Sequence, residues 1–323
     1  MMERKTATRK ADAIIVSDLH LSDTTPVSRT DDFLETQRIK LEWLCDLQQK
    51  HGDCVVLNSG DLFDFWKISP WLASMAFKYL PRNMIVIPGN HDLPEHSMKL
   101  YNKSGMALLQ AVRKDMMVMG VIEKEPPIYM HGKGMPISQV IGVAFGELDK
   151  FVVDKGMLIG NGRNILLLHE QTWPGMKPPW PGAEGYSATE LLHRFADDFD
   201  LIITGDNHNG FVEHYHGSVL VNPGSMLRLS ADKVNYQPRA YLYYAQTNEV
   251  IPQYFPIQDG VVDTSHLDII KDRDQRLAAY ISQMDTTWDI GLSFEKNLEA
   301  YFAQNDTPKK IKELIWSHLE KDK

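Results

Sequence analysis

Five times along this chain an apolar, largely β-branched run stops and hands over to a carboxylate, an imidazole or an amide. Ala13 to Val16 leads into Ser17-Asp18-Leu19-His20, and Cys54 to Leu57 into Asn58-Ser59-Gly60-Asp61. Met84 to Ile87 leads into Pro88-Gly89-Asn90-His91-Asp92, Ile165 to Leu168 into His169, and Leu201 to Ile203 into Thr204-Gly205-Asp206-Asn207-His208. Short runs of this kind read as buried strands, and α/β sheets build their sites just past the carboxyl ends of strands. Asp18 and His20 are two apart, as are Asp206 and His208. Side chains at that spacing point to one side of an extended backbone, so each pair can grip one cation. Any single case reads equally well as a strand end with a turn residue chosen for local hydrogen bonding. It is the recurrence that points to a site.

The residues so collected are Asp18, His20, Asp61, Asn90, His91, Asp92, His169, Asp206 and His208. Oxygen and imidazole donors without thiolates suit manganese, iron or zinc. Seven candidate ligands are too many for one ion and suit two, with one carboxylate bridging; Asp61, alone on its strand end, is the natural bridge. Two ions about 3.5–4 Å apart activate a water and stabilise the entering and leaving oxygens of an in-line displacement. Phosphoester hydrolysis is the reaction that such a site serves best.

The intervening sequence supplies the elements that must hold these groups. Residues 31–50 carry apolar positions at Phe33, Leu34, Leu41, Leu44 and Leu47, an amphipathic helix to lie on a sheet. Helices are also predicted over Pro70–Tyr79, over Glu147–Val153, and from a Ser187 cap toward Phe199. Gln139–Phe145 reads as a strand, and Ala240–Ala245 with Val250–Phe255 as a hairpin. Phe63, Phe65 and Trp66 are expected to pack under the site. The Pro- and Trp-rich stretch Thr172 to Gly182 is a long loop that either rims the site or packs down on its tryptophans. Lone His96 and His131 give no site signal. Past about Pro256 the composition shifts to amphipathic helices over Ile269–Met284, after Ser293, and from Thr307-Pro308 onward. The predicted organisation is therefore a domain over 1–255 and an extension over 256–323.

The totals exclude several classes. At 323 residues the chain can bury a large core. Its 43% hydrophobic and 24% charged content is that of an ordinary globular protein. No apolar run is long enough for a membrane helix, and the polar, basic start predicts no signal peptide. Two cysteines cannot form a disulfide framework, so a reduced, cytoplasmic setting is expected. The net charge of −9 argues against a nucleic-acid-coating protein but leaves open an enzyme acting on DNA. Two divalent ions would offset about four of those charges.

Asp-Leu-His at 18–20, Gly-Asp-Leu-Phe-Asp at 60–64, Gly-Asn-His-Asp at 89–92, His169 after an apolar strand, and Gly-Asp-Asn-His at 205–208 closely resemble the calcineurin-like metallophosphoesterases, in the family's order. The resemblance implies an α/β fold, a four-layer αββα sandwich, with a small, mainly helical C-terminal extension. It implies one ion on Asp18, His20, Asp61 and His208 and another on Asp61, Asn90, His169 and Asp206. His91 would protonate the leaving oxygen or stabilise phosphate charge, with Asp92 orienting it. The family's last block usually reads Gly-His-x-His; here Asp206 replaces its first imidazole, a harder ligand that favours manganese over zinc.

Within the superfamily the chain looks most like the SbcD-type DNA repair exonuclease subunits. That likeness rests on Asn222-Pro-Gly-Ser-Met-Leu-Arg228, the following hairpin and the C-terminal extension. It implies DNA as substrate, a coiled-coil ATPase of the SbcC type as partner, and a homodimer. Residues 222–225 also read as a plain structural turn. The segment 60–66 resembles the UDP-diacylglucosamine hydrolases as well, which makes a small-molecule or lipid-linked phosphoester the alternative substrate; those enzymes usually carry Arg where His91 stands. A non-catalytic scaffold on the same fold would have lost ligands, and every ligand position here has a competent residue.

Overall fold

The central strands are buried on both faces and need a helix or a second sheet to cover them. A computed structural model describes residues 9–120, 126–130, 137–180, 182–265 and 294–319. The strands are β1 (Ala13–Val16), β2 (Val55–Asn58), β3 (Met84–Val86), β4 (Met116–Val118), β5 (Ile128–Met130), β6 (Ile137–Val143), β7 (Gly162–Leu168), β8 (Thr172–Trp173), β9 (Tyr186–Ser187), β10 (Leu201–Ile203), β11 (Phe211–Tyr215), β12 (Ser218–Asn222), β13 (Arg239–Tyr244) and β14 (Glu249–Tyr254). Two six-stranded sheets result, ordered β14-β13-β1-β2-β3-β4 and β11-β12-β10-β7-β6-β5; β8 and β9 form a small pair of their own.

Alternation along the strands builds three apolar layers. Ala13, Ile15, Leu57 and Ile85 of the first sheet meet Ile165, Leu167, Leu201 and Ile203 of the second. The opposite residues, Ile14, Val16, Val56, Met84 and Val86, pack under α1 (Phe33–Lys50), α2 (Pro70–Tyr79) and α3 (Gly105–Val112). Leu166, Leu168, Ile202 and Leu220 pack under α4 (Ala188–Phe195). The order helix, sheet, sheet, helix is the expected αββα sandwich. Each such side chain contributes about 1.5–3 kcal/mol on full burial. The helices start where their caps lie: Asp32, Ser69 and Ser187 accept N–H groups of Glu35, Leu72 and Glu190.

The register places the ends that matter. Val16, Asn58 and Val86 stand in one row across three parallel strands, and Leu167 pairs with Ile203 in the other sheet. All five polar hand-overs therefore leave the sheets at carboxyl ends.

Some expectations are corrected. The helix over Glu147–Val153 is a single 3₁₀ turn, Leu148–Lys150, followed by extended chain. Tyr186 and Ser187 form β9, and α4 ends at Phe195. The stretch before Gly120 holds α3 and β4, where no clear pattern marks either element in the sequence. The helix expected over 269–284, the Ser293 cap and His131 lie outside the described residues. The chain divides into two compact units, Met1–Asp263 and Thr264–Lys323. In the second, α5 (Phe294–Gln304) and α6 (Lys309–Leu319) bury Leu298 and Phe302 beside Tyr301, Ile315 and Trp316. Among the described residues no helix is long and apolar enough to cross a membrane.

Candidate metal centre

The turns after β1, β2, β3, β7 and β10 bring Asp18, His20, Asp61, Asn90, His169, Asp206 and His208 into one cluster. His20 Nε2 faces His208 Nε2 at 3.0 Å and lies 3.9 Å from Asp18 Oδ1. Across the cluster, His169 Nε2 is 2.9 Å from Asn90 Oδ1 and 3.9 Å from Asp206 Oδ1. Asp61 lies between the two groups, its Oδ2 3.5 Å from His20 Nε2 and 3.4 Å from His169 Nε2. Both separations exceed hydrogen-bond length, and the position is the one a bridging ligand needs. Ligating atoms within 4.8 Å of one another form three overlapping groups: Asp18-His20-His208, Asp18-Asp61-His169 and His20-Asp64-His91.

Close approach of the loops depends on missing side chains. A Cβ on Gly60 would lie 2.1 Å from His169 Nδ1, and one on Gly89 would lie 2.1 Å from Asp61 Oδ1. Four of the candidate ligands themselves hold left-handed backbone: Asp18 at φ 50°, His20 at 43°, Asp61 at 50° and Asp206 at 66°. Non-glycine residues there carry strain that concentrates at functional sites. Backbone hydrogen bonds tie the frame around them together. His20 and Asp18 donate their N–H groups to the Asp61 and Gly60 carbonyls, and Asp18 Oδ1 accepts the Asp206 N–H at 3.0 Å. The Asn222–Met226 turn is a brace: Ser225 N–H meets the His208 carbonyl, Met226 N–H the Asp18 carbonyl, and the Asn222 side chain the Gly205 carbonyl.

Two of the imidazoles are aimed from behind. His169 Nδ1 meets the Ser59 carbonyl at 2.7 Å, and His20 Nδ1 lies 3.2 Å from Asp64 Oδ1, so both turn Nε2 inward. Such outer partners fix ring orientation and tautomer at metal sites. Gln171, with its amide turned to satisfy its neighbours, donates to the Asp206 carboxylate at 3.0 Å.

The partner that orients His91 is Asp64 rather than the expected Asp92. His91 Nδ1 meets the Asp64 carbonyl at 2.7 Å, and its backbone N–H meets Asp61 Oδ1 at 3.0 Å. Asp92 is fully buried and accepts the N–H groups of Leu62, Phe63 and Gly89 at 3.0–3.1 Å. It clamps the Asp61 loop to the Gly89 turn, and Asp64 holds the His91 ring. Asp64 is the functional residue that sequence reasoning missed; the signal present was a carboxylate three positions past a ligand. Phe63 is buried as expected, but Phe65 is 58% exposed. In the long loop, Trp173 packs down while Met176 and Trp180 are exposed.

The electrostatics match a cation site. Burial and the Asp61 charge push Asp18 up to about 6 against the pull of His169 and His20. Burial alone would depress His20, but the Asp64, Asp61 and Asp18 carboxylates raise it to about 9. His169 is raised well above its ordinary value against burial, by Asp61 first. Asp61 in turn is lowered against burial, by His169 first. Burial and then His20 drive His208 down to about 3. Asp18 Oδ2 and Asp61 Oδ2 are buried without a hydrogen-bond partner among the described residues. A buried anionic oxygen left unpaired is costly, and a divalent cation is the partner that this donor set fits.

Known proteins give the same family. Residues 13–210 match the calcineurin-like phosphoesterase family. No curated protein matches the chain. Among solved structures it is similar to a candidate 5′-nucleotidase from Staphylococcus aureus solved with alpha-ketoglutarate, at 13% identity and TM-score 0.47, covering 78% of this chain and 55% of that one. It is similar to an archaeal phosphodiesterase at 12% identity and TM-score 0.38, covering 75% and 99%. The TT1561 protein of Thermus thermophilus gives 13% identity and TM-score 0.45, covering 76% and 99%. The chain thus spans about half the length of the nucleotidase. With its five motif blocks gathered into one cluster and the family matched over most of its first unit, this chain belongs to the calcineurin-like phosphoesterases.

Proposed function

We propose that this metallophosphoesterase is a DNA phosphodiesterase of the SbcD type, an exo- or endonuclease subunit acting in DNA repair or recombination. The observation that carries the hydrolytic part is Asp61, set between two imidazole-carboxylate groups with His91 hydrogen-bonded to it. The first group, Asp18, His20 and His208, would hold one divalent ion and the second, Asn90, His169 and Asp206, the other, with Asp61 shared. Manganese suits a set with three carboxylates and an amide oxygen. When bound, the two ions supply Lewis acidity toward phosphate oxygens and lower the pKa of water.

The chain's own residues do the positioning. His91 Nδ1 is committed to the Asp64 carbonyl, so Nε2 is the atom from which the ring passes a proton to the departing sugar oxygen. Asp92 keeps that turn and the Asp61 loop in register. DNA enters the reading through the likeness of the Asn222–Arg228 segment and the C-terminal helices to SbcD-type nucleases. The same likeness assigns an SbcC-type ATPase and a second copy of the chain as partners. Exposed Ile311 on α6 offers the ATPase an apolar foothold.

The test is manganese-dependent loss of label from end-labelled linear duplex DNA, with His91→Ala beside the wild type. A general acid contributes about 10²–10⁴-fold, so the variant should fall by that factor. Turnover of bis(4-nitrophenyl) phosphate without any DNA cleavage would keep the hydrolase and remove DNA. Silence on both would overturn the enzyme reading.

A further inference from the structure

The chain just past Asp64 carries side chains that the metal centre does not use. Past Asp64 the chain runs Phe65-Trp66-Lys67 and lies against residues 102–105, where Gly105 donates its N–H to the Trp66 carbonyl at 2.7 Å. Between these segments is a cleft of about 490 Å³ lined by Trp66, Lys67, Asn102, Lys103 and Leu108, with no carboxylate in its wall. Lys67 and Lys103 are exposed and make no ion pair or side-chain hydrogen bond among the described residues. Lys150 and Lys155, by contrast, each lie on a carboxylate. Two unpaired cations in one wall are conspicuous in a chain of net charge −9. The nearby α3 terminus adds little, because the Ser104 hydroxyl already takes the Ala107 N–H.

Beside the lysines stand two aromatic faces. The Phe65 ring is 58% exposed, and its centroid is 5.4 Å from that of Trp66, tilted by 42°. The cleft is tied to the reacting end by chain length alone. The Asp64 carbonyl holds His91, and Lys67 follows three residues later, at most about 10 Å of chain. A nucleic-acid strand carries one charge per roughly 3.4 Å of axis, so that reach spans about three phosphates. Cations that track a backbone beside aromatic stacking faces are how proteins hold single strands without reading sequence.

We infer that this cleft is a subsite for the single strand flanking the scissile phosphodiester. Lys67 and Lys103 take backbone phosphates about two to three steps from the cut, and Phe65 with Trp66 stacks the intervening bases. The inference rests on the DNA phosphodiesterase reading and adds to it a hold on the flanking strand that has no sequence preference.

The experiment is fluorescence anisotropy of a short labelled thymidine oligonucleotide on the full chain in chelator, so that binding is read without cleavage. The double variant Lys67→Gln/Lys103→Gln should weaken binding about tenfold or more at low salt. Its slope of log K against log salt should fall by about 1.4, or 0.7 for each phosphate no longer neutralised. Phe65→Ala should weaken binding about five- to a hundredfold and leave the slope in place. In manganese, the double variant should raise KM for the oligonucleotide more than KM for bis(4-nitrophenyl) phosphate. An unaltered salt slope in the double variant overturns the subsite. Wild-type protein that is inert toward bis(4-nitrophenyl) phosphate overturns the hydrolase reading instead, and the anisotropy still decides whether the cleft binds a strand.

Discussion

One methyl group at Gly89 probes the whole frame. A Cβ there would stand 2.1 Å from Asp61 Oδ1 and 2.5 Å from the Asp61 backbone nitrogen, whereas real Cβ atoms essentially never come below 3.0 Å. Turning the Asp61 side chain relieves the first clash and not the second, so the backbone must retreat by about 0.5–1 Å. It has little room to do so. The Asp61 carbonyl holds the His20 N–H, and the next two N–H groups are clamped by Asp92. Movement also strains the His91 N–H bond to Asp61 Oδ1, a bond to a charged acceptor worth about 1.5–3 kcal/mol. A displacement of about 1 Å at a reacting centre costs on the order of 10²-fold in rate. Disturbed ligand support costs about 10–100-fold in metal affinity.

Gly89→Ala should therefore retain the wild-type circular dichroism spectrum while manganese affinity by calorimetry falls about 10–100-fold. Phosphodiester turnover at saturating metal should fall about a hundredfold. Wild-type affinity and turnover in a folded Gly89→Ala protein would show that Asp61 is not held where a bridging ligand must sit.

Three further outcomes follow from the same frame. Asp92→Asn keeps one acceptor oxygen and turns an amide toward a backbone N–H, so denaturant unfolding should show a loss of about 2–4 kcal/mol; an unchanged midpoint would refute the clamp. Lys40 is buried, donates to the Met226 carbonyl at 2.6 Å, and is held down to about 7 by burial and by Arg29 and Arg228. Unfolded, it keeps its proton to about 10.5, so between these values the unfolded chain binds more protons and stability should rise with pH, by up to about 1.4 kcal/mol per pH unit. Lys40→Met should flatten that rise in denaturant melts taken across the window, and an equal slope in both proteins would contradict it. Asp206→His removes a charge from the second group and should raise affinity for zinc relative to manganese, read by competitive metal titration; an unchanged preference would detach Asp206 from the metal.

The residues of the cluster were legible because each is announced locally, by an apolar run that ends in a polar residue at a strand's carboxyl end. Helix α1 was legible through its apolar stripe, and α2 was read over its full length, Pro70–Tyr79. Edge strand β14 was legible as half of a hairpin, but the other edges were not: β4 and β5 are three residues each, too short for any periodicity, and β11 is fixed by its pairing with β12. The hairpin turn joining β11 to β12 did leave a trace, since His216 and Gly217 both take positive φ. Glu147–Val153 misled because charged and apolar residues alternate there at near-helical spacing, yet only one turn forms before the chain extends. Asp64 was hidden for another reason. Its side chain serves His20 and its carbonyl serves His91, and the identity of a residue says nothing about where its carbonyl points. Phe65 stands out to solvent although Phe63, two residues earlier, is buried, a difference that the apolar composition conceals.

The Asp206 departure can be weighed against the same frame. Left-handed backbone at Asp18, His20, Asp61 and Asp206 costs about 1–3 kcal/mol each and persists only where the surroundings over-determine it. The surroundings here are backbone bonds: Asp18 and His20 onto the Asp61 loop, Ser225 and Met226 onto the carbonyls of His208 and Asp18. Asp206 is anchored through its own N–H to Asp18 Oδ1, a bond that does not depend on its side chain. An imidazole or a carboxylate at 206 therefore starts from the same place. What changes is charge. Three carboxylates set against two divalent ions leave a net charge of about +1 where two would leave about +2. On the proposed two-ion reading, the substitution alters which metal the second group prefers and how strongly it polarises a phosphate, while the frame that assembles the group stands on bonds the substitution never touches.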